Sequence, residues 1–333
     1  MSRRSTIDNT ARWPALDRRT VLRGAAVAGA AVAGTAFTAA PAAADPKLPY
    51  PDVADTSHAT ETAAKIMRGF FTAKSEHDPD KLMTFFSKDN AFYIDASSGN
   101  VWPNWDSLNS VFHAFLPPAP AAALSYPIRV IGDDHSVLVS FEDTPELFGR
   151  ELRILGSVTF DRHGKIVRWI DYWDGRSSLR STSIGPTYPT DFHDGVVNTS
   201  AAMTAAAGAL QAAFSAADAA TATALFSFDA VLEDMAAHTR VQGQLQIQRY
   251  LTRALPHVPY GAGASLAHVV GGALGGGYEW HASPSAAPMR RGNAAVELDG
   301  DGKVSRFTVV YDSGLLSYPT YQSLVMLAAE AAA

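Results

Sequence analysis

The chain contains no cysteine, which excludes disulfides, thiolate metal sites and cysteine nucleophiles together. Charge is sparse: 18% of the residues are Asp, Glu, Lys or Arg, and the formal balance is −6. No basic strip of the kind that tracks phosphates is present, so nucleic acid is excluded as a partner. No Gly-x-Gly-x-x-Gly fingerprint occurs and no phosphate-loop Lys-Ser/Thr follows a glycine cluster. The run Gly271-Gly272-Ala273-Leu274-Gly275-Gly276-Gly277 therefore reads as a flexible loop that loosens a sheet. His and carboxylate residues do not fall at metal-ligand spacings. The expectation is a protein that works without metal and without cofactor.

What is present is repetition. Phe85-Phe86-Ser87-Lys88-Asp89-Asn90-Ala91-Phe92-Tyr93-Ile94-Asp95 is matched, with one residue deleted, by Leu225-Phe226-Ser227-Phe228-Asp229-Ala230-Val231-Leu232-Glu233-Asp234. Phe160-Asp161-Arg162-His163-Gly164-Lys165-Ile166-Val167-Arg168-Trp169 is echoed by Leu298-Asp299-Gly300-Asp301-Gly302-Lys303-Val304-Ser305-Arg306-Phe307. An offset that stays nearly constant between the two pairs of segments is the pattern of a duplicated domain.

The N-terminal segment reads as an address. Asp17-Arg18-Arg19-Thr20-Val21-Leu22-Arg23 precedes an Ala/Gly-rich run from Gly24 to Ala40 and the small-residue site Ala42-Ala43-Ala44. This arrangement resembles a twin-arginine export signal over residues 1–44. The resemblance implies export by the twin-arginine route, cleavage before Asp45 and an extracytoplasmic, secreted protein with no membrane contact afterwards. The segment carries six Arg and two Asp, so its removal takes the formal charge from −6 to −10.

Residues 45–58 read as a polar, proline-containing tether. Ile66, Phe70, Phe71, Leu82, Phe85 and Phe86 fall at helical spacings on either side of a polar turn. A strand over Asn90–Asp95 and a short helix over Trp105–Leu116 follow. Strands are expected at Ile128–Ile131, Val137–Glu142, Leu152–Phe160 and Ile166–Trp173, the last two joined by an Asp-Arg-His-Gly turn. The second copy repeats the order, with helices across Ala201–Phe226, a strand at Ala230–Asp234 and a helix at Gln244–Leu255. The resulting organisation is a first domain over 59–176, a linker over 177–197, a second domain over 198–316 and a C-terminal arm over 317–333. Helices set on one side of an antiparallel meander indicate the α+β class.

This element order, with Arg153-Ile154-Leu155-Gly156-Ser157-Val158-Thr159-Phe160 and Gly164-Lys165-Ile166-Val167-Arg168-Trp169-Ile170-Asp171-Tyr172-Trp173-Asp174, resembles the nuclear transport factor 2-like superfamily. That superfamily includes ketosteroid isomerase, scytalone dehydratase, limonene epoxide hydrolase and SnoaL-like polyketide cyclases. The resemblance implies two tandem cone-shaped α+β barrels of cystatin-like fold, each a curved antiparallel sheet packed on helices. It places Asp95 where ketosteroid isomerase has its proton-abstracting carboxylate, and Asp171 where limonene epoxide hydrolase has its acid. The isomerase's oxyanion tyrosine falls near Phe71 and its protonated aspartate near Gly156. The hydrolase's Arg/Asp pair falls around Phe141-Glu142-Asp143, and dehydratase-like members use pocket histidines, which brings in His113.

Apolar neighbours would desolvate Asp95 and Asp171 and raise their pKa values, so that one serves as acid and the other as base near neutrality. The catalytic set is therefore Asp95, Asp171, His113, Glu142 and Asp143, with Phe71, Tyr93, Trp102, Trp105, Trp169 and Trp173 as the substrate-binding walls. The second copy keeps Asp234 but has Val309 where the first has Asp171. Its candidates are Glu233, Asp234, His238 and Glu279, the alternative being a scaffold for the first domain. The expected function is an exported, cofactor-free acid–base enzyme acting on a small hydrophobic molecule of terpenoid or polyketide type, by isomerisation, dehydration or epoxide opening with cyclisation. The alternative is a non-catalytic extracytoplasmic ligand-binding or dimerisation module. Domain–domain or homodimer packing is expected as well.

Overall fold

The computed structural model describes residues 48–177 and 199–329; the signal reading for residues 1–44 and nearly all of the 177–197 linker lie outside them. The described chain forms two α+β halves in tandem. The first runs β1 (Asp55–Ala59), α1 (Glu61–Ser75), α2 (Pro79–Met83), β2 (Phe92–Asp95), β3 (Asn100–Trp102), α3 (Trp105–Phe115), β4 (Ser125–Gly132), β5 (Ser136–Asp143), α4 (Pro145–Phe148), β6 (Leu152–Phe160) and β7 (Ile166–Trp173). The second runs α5 (Ala201–Ser215), α6 (Ala219–Ala224), β8 (Phe226–Asp234), β9 (Thr239–Gln242), α7 (Gln244–Ala254), β10 (Ser265–Gly272), β11 (Gly275–His281), β12 (Arg291–Leu298), β13 (Val304–Val310) and α8 (Tyr318–Met326).

Each half is one sheet: seven strands in the order β1-β4-β5-β6-β7-β2-β3, and six in the order β10-β11-β12-β13-β8-β9. Successive strands of each meander are antiparallel, but β2 joins β7 in parallel and β8 joins β13 in parallel, so the sheets are mixed. Asp55–Ala59, read from sequence as part of a tether, is instead an edge strand parallel to β4. Its Asp55 takes an ion pair from Arg129 at 3.0 Å, which gives a polar segment a reason to lie on the sheet.

The echoed sequences fold by the same local chemistry. Asp161 Oδ1 accepts from the backbone N–H of His163 and Lys165, and Asp299 Oδ1 accepts from Asp301 and Lys303. Gly164 and Gly302 take the left-handed conformation, with φ of +70° and +73°, which only glycine adopts without penalty. Lys165 and Lys303 then each donate to a carbonyl at the end of the second helix of their half, Thr84 at 2.6 Å and Ala224 at 2.7 Å.

The two sheets pack against each other. Ile94, Ile131, Leu138, Leu155, Ile170 and Tyr172 of the first share a core with Val270, Ala295 and Val310 of the second. The uninterrupted apolar character of β7 follows: Trp169 and Trp173 face the first half's own core, while Ile170 and Tyr172 face the other sheet. The glycine run is not a flexible loop. Its glycines lie in β10 and β11 at this interface, where a Cβ on Gly277 would stand 2.3 Å from Leu138 Cδ1 and one on Gly275 3.1 Å from Ile131 Cγ2. The missing side chains let the sheets approach.

Buried polar pairs fix the register of this packing. Arg168 pairs with Glu279 at 2.5 Å, Tyr172 donates to Glu279 at 2.8 Å, and Asn293 donates to Ser157 at 3.0 Å. Burial alone would raise the Glu279 carboxyl, but Arg168, His268 and Tyr172 together hold it below its usual range. Glu279, a candidate for a second site, is thus an interface ion-pair residue.

Candidate active site

Between the first half's sheet and α3 and α4 lies a cavity of ≈ 750 Å³, a size that suits a small organic ligand. Its apolar wall is made by Trp102, Leu108, Val111, Phe112, Phe115 and Ile154, and its polar groups include Lys74, Tyr93, Asp95, Asp143 and Asp171. Phe115 and Phe148 stack at 5.3 Å between centroids, and Phe148 is 46% exposed, which places this pair at the mouth.

The two central carboxyls are set by strand register. The parallel pairing of β2 with β7 puts Asp95 opposite Asp171 and Tyr93 opposite Trp169. Asp95 Oδ1 accepts from the backbone N–H of Ser97 (3.1 Å) and Ser98 (2.9 Å), and from the Trp173 indole (2.9 Å). Burial pushes its pKa up in spite of these donors. Asp171 is 5% exposed. Its Oδ1 accepts from the Trp169 indole and its Oδ2 is hydrogen-bonded to the Tyr93 hydroxyl. Burial, reinforced by the charge of Asp95, raises Asp171 to about 8, against the opposing pull of the Tyr93 and Trp169 donors and of Lys74. At neutral pH Asp171 therefore carries its proton. Tyr93 is raised well above its usual range by burial and by Asp171 beside it, so its hydroxyl stays neutral.

Gly156 makes room for this arrangement. It is the β6 partner of Asp171, and a Cβ there would lie 2.9 Å from Asp171 Oδ1 and 3.0 Å from the Trp169 indole nitrogen. Any side chain at this position would displace the buried carboxyl.

A second polar group in the cavity is the buried pair Lys74–Asp143, with Nζ at 2.9 and 3.2 Å from the two carboxylate oxygens. The ammonium also lies over the Phe141 ring, 5.1 Å from its centroid. Lys74 was missed in the sequence. Its signal was available, because it continues the buried stripe Met67, Phe70, Phe71 of α1, and a lysine on a buried helical face calls for a buried partner.

Of the residues expected from sequence, Asp95, Asp171, Asp143, Tyr93, Trp102 and Trp173 line the cavity. His113 does not: it is exposed on α3, with Nδ1 against Asn109 O and Nε2 against Asp80 at 3.2 Å. Glu142 accepts from Tyr126 at 2.7 Å and also lies off the cavity lining. Strand alternation explains the split, since Phe141 and Asp143 share the face opposite to Glu142. Phe71 and Trp169 are sealed in the core behind the cavity, packed on Phe141 and on each other. Trp105 instead carries Lys88 over its ring at 5.5 Å.

In the second half, β8 and β13 repeat the register, but Asp234 stands opposite Val309. The pair of carboxyls is absent. Asp234 is fully buried, accepts from Ala237 N–H at 2.8 Å and from the Tyr260 and Tyr311 hydroxyls at 3.3 Å, and burial raises it to about 7. Around it, Tyr250, Tyr260, Tyr278, Trp280 and Tyr311 are all almost fully buried in one core. Glu233 lies near Arg306 at 3.6 Å, and with His238 it lines a separate cleft taken up below. Among the described residues, no cluster of three or more His, Asp or Glu is arranged to hold a metal ion.

No protein-family model and no curated protein matches the chain. Solved structures similar to it have nuclear transport factor 2-like, SnoaL-like, ketosteroid-isomerase and cystatin-like folds. One is an NTF-2-like protein of unknown function from Burkholderia xenovorans, 18% identical over 34% of this chain and 83% of its own, with a TM-score of 0.29. A steroid delta-isomerase from Pseudomonas aeruginosa is 16% identical over 40% of this chain and 93% of its own, with a TM-score of 0.32. SalBIII, an epoxide hydrolase/cyclase-like enzyme in pyran ring formation in the polyether salinomycin, is 19% identical over 35% of this chain and 94% of its own, with a TM-score of 0.30.

Proposed function

We propose that the first half is a cofactor-free acid–base catalyst for a small, largely hydrophobic molecule. The observation that carries this reading is the register pair Asp95/Asp171 in one cavity, with Asp171 protonated at neutral pH. Asp171, through the hydroxyl of Tyr93, supplies a proton to a substrate oxygen. Asp95, whose ionised form is supported by three N–H donors, removes a proton from carbon or from an attacking hydroxyl or water. The aromatic wall holds the apolar body of the substrate and excludes water, which strengthens both transfers. Such a site serves isomerisation, dehydration or the opening of an epoxide with cyclisation, and a terpenoid or polyketide fits its apolar lining.

The test is incubation of the purified protein with a terpenoid epoxide and with a β,γ-unsaturated ketone, followed by mass spectrometry and chromatography beside Asp95→Asn and Asp171→Asn. Conversion by wild type that both variants lose supports the reading. A mass gain of water marks hydrolysis, a loss marks dehydration, and an unchanged mass with a new retention time marks isomerisation or cyclisation. A second reading, a non-catalytic binding module, is favoured by one observation: both oxygens of Asp171 are already satisfied by Trp169 and Tyr93. It predicts unaltered ligand retained equally by all three proteins.

We also propose that residues 1–44 direct export by the twin-arginine route and that the sequence duplication reflects two copies of one domain. The support for the first is the sequence pattern alone, and N-terminal sequencing of protein recovered outside the cell should begin at Asp45.

A further inference from the structure

A second concave site lies where the ends of the two sheets meet. It is a cleft of ≈ 470 Å³ bounded by the start of β6, the end of β7 and the turn from β8 to β9. Leu152 and Trp173 line both this cleft and the larger cavity, so two side chains form the wall between them. Trp173 is held in that wall by its indole N–H on Asp95 and its backbone N–H on Ser97 Oγ, both at 2.9 Å.

The opposite side of the cleft is strained. Asp95 to Asn100 and Asp234 to Thr239 are turns of equal length between register partners. At the fifth position the first has Gly99, with φ +77°, and the second has His238, with φ +50°. A residue with a Cβ is disfavoured in this conformation, and strain of this kind clusters at functional sites. It brings His238 to the cleft, which Asp174 also lines; burial raises Asp174, and His238 is a lesser influence in the opposite direction. Asp174 is itself a positioned carboxylate: its Oδ1 accepts from Ser313 N–H and Oγ–H, both at 2.8 Å, and from Arg176 N–H at 3.1 Å.

The remaining charges at the cleft answer one another. Arg153 pairs with Glu151 at 2.8 Å, and Glu233 stands across from Arg240 and near Arg306. A charged ligand would meet both signs at once and gain little. A hydroxyl both donates and accepts, and so matches a lining of mixed guanidinium, imidazole and carboxylate. The half-buried face of Trp173 offers a flat apolar surface beside these groups.

We propose that this cleft binds a neutral, hydroxyl-rich molecule of the sugar or polyol class, stacked on Trp173 and hydrogen-bonded by His238 and the Arg153–Glu151 pair. The site is separate from the acid–base cavity and its test needs no turnover. D-glucose, D-mannose and trehalose are offered to the full chain in saturation-transfer NMR and in titrations of tryptophan fluorescence, with betaine and succinate as zwitterionic and anionic controls. His238→Gly is the informative variant, because glycine suits the backbone conformation and Gly99 already occupies the matching turn. Wild type should bind at least one of the three sugars in preference to both controls. His238→Gly and Arg153→Gln should bind it at least five-fold more weakly, while His238→Gly melts no lower than wild type. The proposal is overturned if none of the sugars transfers saturation, if a control binds better, or if both variants bind as wild type does.

Discussion

Asp171 lies directly across from Asp95 on the neighbouring parallel strand, so the charge of Asp95 bears on the carboxyl of Asp171. Burial raises both, and the charge of Asp95 adds to the rise at Asp171. The two titrate as interacting groups, with Asp171 holding its proton at neutral pH.

Turnover should follow that pair. The acid form of Asp171 is lost as pH rises through about 8, so the rate falls on the alkaline side, and it falls on the acid side as Asp95 protonates. Asp171→Asn keeps the shape of the carboxyl without a transferable proton and should lower the rate about 10²–10⁴-fold. Tyr93→Phe should lose rate while still binding the product. A kcat–pH profile that is flat from pH 6 to 9 would sink the assignment.

Stability should move in the opposite sense to that of a protein held by ionised carboxylates. Asp171 and Asp234 are raised from 3.8 to about 8 and about 7 in the folded state. Between pH 4 and those values the folded chain binds more protons than the unfolded one. Stability is therefore full below pH 4 with respect to these groups, declines as pH climbs, and levels off above about pH 8. Each group contributes a slope of about 1.4 kcal/mol per pH unit inside its window. Asp234→Asn, which lies outside the acid–base cavity, should flatten the fall between pH 4 and 7 in thermal melts. Parallel melting curves for variant and wild type would contradict the burial argument.

Gly277→Ala puts a methyl group 2.3 Å from Leu138 Cδ1 and 2.5 Å from Ala294 O. Overpacking of this sort costs about 1–3 kcal/mol. In urea titrations Leu138→Ala should offset part of that cost, so that the double variant is more stable than the sum of the singles predicts. Strict additivity would mean that the sheets do not meet at this point.

Glu279→Gln removes the carboxylate that pairs with the Arg168 guanidinium buried between the sheets. Removing one partner of such a pair costs about 3–5 kcal/mol. The loss should appear in chemical denaturation, and binding in the first-half cavity should be retained in the protein that remains folded. A midpoint unchanged in urea would show that the Arg168–Glu279 pair does not stabilise the contact.

Much of this was legible in the sequence because the signals were local. The hairpins at Asp161–Lys165 and Asp299–Lys303 announce themselves through Asp and Gly at fixed offsets, and β6 and β7 span the residues that their apolar runs indicate. Asp95, which ends β2, and Asp171, inside β7, could be named through the family resemblance, with their apolar neighbours supporting the choice. What stayed hidden depends on contacts between distant segments. The glycine run looked like a loop because sequence does not reveal that Leu138 and Ile131 press on it. Glu279 looked like a site residue because its partner Arg168 is 111 positions away. His113 and Glu142 sit one strand or helix face away from the cavity, a distinction that needs the register of each element. Lys74 was overlooked because lysines are usually at the surface, although its place on the stripe with Phe70 and Phe71 marked it.

Both sheets belong to one polypeptide, so their meeting is a first-order event. A homodimer that buries the same kind of face loses its partner on dilution, and its melting temperature tracks concentration. Here the contact between the sheets does not dissociate on dilution. The two contacting surfaces are also encoded separately, so a single codon change alters one side of the contact without altering the other. That independence lets the glycines of β11 face Leu138 on β5 and Ile131 on β4 without the same residues being imposed on both halves.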